Sequence, residues 1–176
     1  MDNTTLEIIT GIALPAAAII ISTWVAVGLA KSERVDAAAA RAEERSDGAF
    51  VQTLTALATL NTINLRAESV SEPLRDLRVG LTLLEAASPK HDNDLLSDWF
   101  EAERVAGLAQ SKESMRKLDL APKTPNSDAD VETIVSAGAP LNTWARDFAS
   151  NLRLWRRTGA TDAQLMELIT NAKNLH

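Results

Sequence analysis

The sequence predicts an all-α protein, a single N-terminal transmembrane helix followed by a compact helical bundle. Three observations carry this reading. No residue from Ile8 to Ala30 is charged. Beyond that run, apolar residues recur at alternating steps of four and three, the period of one helix face. No stretch alternates apolar and polar residues as a half-buried strand does, and the Asp47-Gly48 pair lies between helical segments rather than β-branched runs.

Four segments follow. Residues 1–7 are a short acidic tail on the outside, 8–30 the transmembrane helix, 31–47 a helical juxtamembrane stalk and 48–176 a cytoplasmic helical domain. At about 1.5 Å per residue the 8–30 run is long enough to cross a hydrocarbon core of roughly 30 Å. Pro15 falls inside it, where a membrane helix tolerates a kink, and Trp24 sits towards its C-terminal end, where an interfacial ring belongs. A cleaved signal peptide would begin with positive charge, yet Met1 to Glu7 holds Asp2 and Glu7 and no Lys or Arg. Lys31, Arg34, Arg41 and Arg45 all follow the run, so the positive-inside rule places the N-terminus outside the cell (inner) membrane and the domain in the cytoplasm. Ala18, Ser22, Ala26 and Ala30 form a ridge of small residues, a packing face on which two anchors can approach closely.

The stalk, Lys31 to Asp47, reads as an Ala-rich exposed continuation of the membrane helix that stops at Ser46-Asp47-Gly48. The series Ala56, Leu60, Ile63, Ala67, Val70, Leu74, Leu77, Leu81 and Leu84 forms one face of a helix or of two abutting helices. Pro73 either kinks it or stands in the first turn of the second helix. Leu54, Leu57, Leu65 and Leu83 widen the stripe, which suits a bundle core better than a two-stranded seam, although the heptad spacing together with the small-residue ridge permits a homodimer. Residues 88–93 are a loop. Asp94 to Leu118 is a helix with apolar residues on two sides, and Asp119 to Asn126, with Pro122 and Pro125, is a linker. Ser127 and Asp130 suggest a capping box that opens a short helix to Ala137; Gly138-Ala139-Pro140 breaks it. Pro140 then fits the first turn of a helix reaching Arg157, with Gly159 just past its end, and Thr161 and Gln164 cap a final helix to Asn174. The expected core is Leu60, Ile63, Leu74, Leu77, Leu81, Leu84, Trp99, Trp144, Phe148 and Trp155.

The helix from Leu141 to Arg157 is the most sharply divided. Leu141, Trp144, Phe148, Leu152 and Trp155 share one side, and Arg146, Arg153 and Arg157 form a stripe on the other. The apolar side suits a bundle core or, as an alternative, the membrane interface. In a bundle the three arginines point outward, a candidate surface for anionic lipid or an acidic partner.

The composition removes whole classes of chemistry. There is no Cys and hence no disulfide, thiolate metal site or Cys nucleophile, and the only His are His91 and His176. A net charge of −6 argues against a protein that binds nucleic acid over its whole surface. His91-Asp92-Asn93-Asp94 is followed by Leu95 and Leu96 where a calcium loop needs a further oxygen ligand and Gly. Gly107 and Gly138 are isolated, so no phosphate loop is present, and no Ser sits in a nucleophile elbow. Asp98, Glu101 and Glu103, with Arg104 beside them, read as a solvated face rather than an acid–base pair. The functional expectation is therefore a membrane-tethered, non-enzymatic interaction or scaffold module without cofactor, metal or nucleic acid. Its partners would be the lipid bilayer, an unidentified protein and a second copy of the chain. Alternatives are a signalling protein whose domain responds to the anchor or, further off, a nucleic-acid-binding or carboxylate-based enzymatic domain.

Overall fold

The computed structural model describes the backbone of residues 14–88 and 94–175 and, in the first helix, the side chains of Arg34 and of residues 37 onward. The described residues form six helices and no strand: α1 Leu14–Thr62, α2 Ser71–Ala87, α3 Leu95–Leu120, α4 Asp128–Ala137, α5 Ala139–Thr158 and α6 Asp162–Lys173. The chain divides into two units, 1–44 and 45–176. The all-α class and the bundle follow from the second unit, which contains the whole buried core.

Among the described residues no helix is long and apolar enough to cross a membrane. The run from Ile8 to Ala30 lies outside that description, residues 8–13 altogether and 14–30 in their side chains. The ridge of Ala18, Ser22, Ala26 and Ala30 falls there too. So does most of the 88–93 loop, with His91, Asp92 and Asn93.

One boundary differs from the sequence expectation. The first helix does not stop at Ser46-Asp47-Gly48 but continues to Thr62. Gly48 is exposed with nothing near the place a Cβ would occupy, so it acts as an ordinary helical residue. A lone Gly costs a helix about 1 kcal/mol relative to Ala. Burial of Ala49, Ala56, Leu57, Leu60 and Ile63 immediately after it outweighs that cost. The helix ends where Asn64 begins a loop, its N–H donating to Glu68 Oε2 at 2.8 Å and its Oδ1 accepting from Arg66 N–H at 3.1 Å. Arg66 then donates to the carbonyls of Pro122 and Lys123, tying this loop to the proline-containing linker.

The apolar series continues across that loop as two abutting helices. Pro73 lies in the first turn of α2, and Leu77, Leu81 and Leu84 are buried with Leu60 and Ile63. Leu74 is half-buried, while Ala67 falls in the loop and is exposed. Gly80 permits the close approach of α1 and α2: a Cβ there would stand 2.6 Å from Thr53 Oγ1 and 3.1 Å from Thr53 N. Thr53 itself is fully buried, its hydroxyl donating to Ala49 O at 2.8 Å.

The short helices begin as their sequences indicate. Ser127 Oγ accepts from Asp130 N–H at 3.2 Å, but the return bond is displaced by one residue, Asp130 Oδ2 accepting from Asn126 N–H at 2.9 Å. In α6 the reciprocal capping box is complete, Thr161 Oγ1 accepting from Gln164 N–H and Gln164 Oε1 from Thr161 N–H. Pro140 stands in the first turn of α5. There the orphan N–H of Leu141 finds the Oγ of Ser114, a fully buried serine of α3, at 3.1 Å.

α3 is the central element, with α2, α4, α5 and α6 all packed on it. Trp99, Phe100, Phe148, Trp155 and Trp144 form a connected aromatic cluster, Trp99 meeting Phe148 edge-on at 5.7 Å and Trp155 at 6.5 Å. The apolar side of α5 is thus committed to the bundle core, which removes the alternative of that face lying in the membrane interface.

Replacing Gly80 by Ala should destabilise the domain by about 1–3 kcal/mol, because the new methyl meets Thr53 backbone as well as its hydroxyl. Urea denaturation of the variant measures this. Combining it with Thr53→Ala should recover only part of the loss, and full recovery would show that the backbones are not in close approach.

Candidate functional site

α3 forms the floor of a groove whose walls are α5 and α6. A cleft of about 610 Å³ lies there, lined among others by Glu103, Gln110, Trp144, Asp147, Leu168 and Asn171. A second cleft of about 290 Å³ shares Asn151, Leu168 and Asn171 with it and extends the groove towards Gly159.

Glu103 is the unusual group. It is 5 % exposed and has no cation paired with it among the described residues. Its two oxygens are instead divided between two indoles: Oε1 accepts from Trp99 Nε1 at 3.1 Å and Oε2 from Trp144 Nε1 at 2.9 Å. Trp99 is one turn earlier on α3, and Trp144 comes from α5. Gly107, one turn after Glu103, makes the arrangement possible. A Cβ at Gly107 would stand 2.4 Å from the Trp144 ring, so the indole lies directly against bare helix backbone. Burial pushes the Glu103 carboxyl above its ordinary value of 4.5; the indole bonds oppose this and the charge of Asp147 adds to it.

The sequence grouping of Asp98, Glu101 and Glu103 does not survive as a cluster. Glu103 faces inward, whereas Asp98 and Glu101 are exposed and Glu101 pairs with Arg104 at 2.7 Å. A carboxyl with a raised pKa beside a second carboxylate is an arrangement that acid–base catalysis uses. Here both oxygens of Glu103 are already engaged, and the described residues lining the cleft include no His, Ser or Cys. The groove offers amide, hydroxyl and carboxylate groups over an apolar bed, which suits recognition. Among the described residues no three His, Cys, Asp or Glu stand together as a metal site.

Arg146, Arg153 and Arg157 are all exposed on the outer side of α5. Arg146 pairs with the neighbouring Asp147 at 3.1 Å; Arg153 and Arg157 have no ion pair among the described residues. A fourth arginine, absent from the sequence expectation, has a different role. Arg156 donates to Ser46 Oγ at 3.0 Å and Asp47 Oδ1 at 2.5 Å, and its guanidinium stands 5.9 Å from the Phe50 ring centroid. It fastens the end of α5 to α1, and the polar Ser46-Asp47 pair read as a helix stop is its receiving site.

No family model, curated protein or solved structure matches the chain. The reading of function therefore rests on its residues alone.

The buried carboxyl has a pH consequence. Because the folded pKa is raised, the folded domain holds this proton to higher pH than the unfolded chain does, and stability attributable to Glu103 falls as pH rises through that window. In Glu103→Gln this contribution is absent. The stability of the parent minus that of the variant, from urea denaturation between about pH 5 and about pH 8, should therefore decline with rising pH. A flat difference would show that Glu103 titrates as an ordinary carboxyl.

Proposed function

We propose that the chain is a membrane-tethered helical interaction module without enzymatic activity, working at the cytoplasmic face. The observation that carries the proposal is the uncharged run from Ile8 to Ala30, with every nearby Lys and Arg on its C-terminal side. The helix that contains much of this run, α1, is also the helix whose later residues, among them Ala49, Ala56, Leu57 and Leu60, enter the bundle core. What the bundle then presents to the cell is surface: the groove of α3, α5 and α6, and the arginine stripe of α5.

The full-length chain should sediment with membranes and resist carbonate extraction, and a C-terminal reporter should be active only in the cytoplasm. Recovery of the intact chain in the soluble fraction would remove the tether, and reporter activity outside would reverse the orientation.

The arginine stripe lies on a chain of net negative charge, so its attraction for anionic lipid or an acidic protein is local and short-ranged. The unit 45–176 should bind vesicles containing anionic lipid in a salt-sensitive manner. Replacing Arg146, Arg153 and Arg157 together by Gln should weaken that binding by roughly 1 kcal/mol per arginine and leave the helical circular dichroism unchanged. A parent domain that does not bind such vesicles would reduce the stripe to a solvated face.

A further inference from the structure

The outward face of α3 carries a pattern that none of the sites above uses. At about 100° per residue, Asp98, Glu101, Val105, Leu108, Lys112, Met115 and Arg116 fall within an arc of about 100°. All seven are exposed, the apolar ones substantially: Val105 41 %, Leu108 49 % and Met115 45 %. Along the helix the order is acidic (Asp98, Glu101), then apolar (Val105, Leu108), then basic (Lys112, Arg116) with Met115 between the two cations. Asp98 and Lys112 have no ion pair among the described residues, while Glu101 and Arg116 reach to the flanks, to Arg104 and Glu113.

We propose that this face of α3 is a self-docking surface, on which a second copy of the chain lies antiparallel about a twofold axis passing between Val105 and Leu108. In that register Glu101 stands opposite Lys112, Val105 opposite Leu108, and Asp98 opposite Met115 and beside Arg116. The twofold repeats each pairing, so the interface is closed and self-complementary. A parallel arrangement sets Glu101 against Glu101 and Lys112 against Lys112, and like charges opposed across an interface disfavour it. The antiparallel register has one mismatch, Asp94 against Asp119, at its outermost ends, where both residues are exposed and solvent screens them. A second copy is favoured over an unrelated partner because it presents the same acidic–apolar–basic order, reversed by the symmetry alone. This deepens the interaction-module reading by naming the partner, and it rests on that reading only for its cellular setting.

The absence of native Cys makes the test direct. In the full-length chain, Val105→Cys should crosslink to a dimer under mild oxidation or with a short bismaleimide. In that background Glu101→Lys should reduce the crosslinked fraction about tenfold, and Lys112→Glu should do the same, each now opposing like charges. The double variant carrying both reversals restores opposite charges across the axis and should return to within about twofold of the parent. With helical circular dichroism unchanged in each variant, crosslinking indifferent to the single reversals, or a double variant as weak as the singles, would overturn the proposal. The outcome separates from that of the tether. Soluble chains that show the charge-swap rescue overturn the tether alone, and membrane-bound chains without the rescue overturn self-docking alone.

Discussion

The contact of the Trp144 indole with bare backbone at Gly107 sets the spacing between α3 and α5, and the rest of the domain is arranged around that spacing. An indole placed so close to a helix axis has its N–H inside the bundle, where an unpaired donor costs about 1–3 kcal/mol. Glu103 meets this need and that of Trp99 with its two separate oxygens. A neutral acceptor with a single oxygen would serve both donors less well. A carboxylate serves both but brings a charge into a poorly solvated place, and the raised pKa is the measure of that conflict. The same small-residue side of α3 continues through Ala106, Ser111 and Ser114, and Ser114 supplies the oxygen that receives the start of α5. One helix thus fixes its neighbour's distance by a glycine, its rotation by a carboxyl and its starting point by a hydroxyl.

What the sequence revealed was local. Ser127, Pro140, Thr161 and Gln164 define helix starts because a cap needs only residues within one turn, and the Leu77, Leu81, Leu84 stripe is periodic enough to mark its own buried face. What it hid depends on distant partners. Glu103 stands between Glu101 and Arg104 and looks like their companion; its separation from them comes from an indole 41 residues away. The clue was the Trp four residues before it, since an indole N–H one turn away on a buried face requires an acceptor. Ser46 and Asp47 were likewise misleading, because such residues end helices when their side chains bond to local backbone. Here they are held instead by Arg156 from 109 or 110 residues away.

Arg156 also explains why α5 presents a stripe of three outward arginines rather than four. It follows Trp155 on the side that turns towards α1, whereas Arg146, Arg153 and Arg157 lie away from the core. Arg156 and Arg157 both occupy the last turn, where the partial negative charge of the helix C-terminus favours cations whichever way they point. The cluster is therefore locally stabilising before any partner is considered, and among the described residues Arg153 and Arg157 are the two of the four arginines without an ion pair.

Among the described residues, most buried polar groups of the bundle already have hydrogen-bond partners. Thr53, Glu103, Ser111 and Ser114 are deeply buried polar residues of the bundle, and Thr53, Glu103 and Ser114 have identified hydrogen bonds. The single buried side-chain oxygen without a partner among the described residues is Asn142 Oδ1, near the junction of α4 and α5 and outside the main groove. Buried polar atoms that wait for a ligand are what distinguish a small-molecule site from a packed core. With Glu103 and Ser114 engaged in holding α3 to α5, the chemistry left over lies on the outside: Asp98 and Lys112 on α3 and Arg153 and Arg157 on α5, none with an ion pair among the described residues, and exposed apolar side chains between charged ones. That distribution supports the proposal of an interaction module.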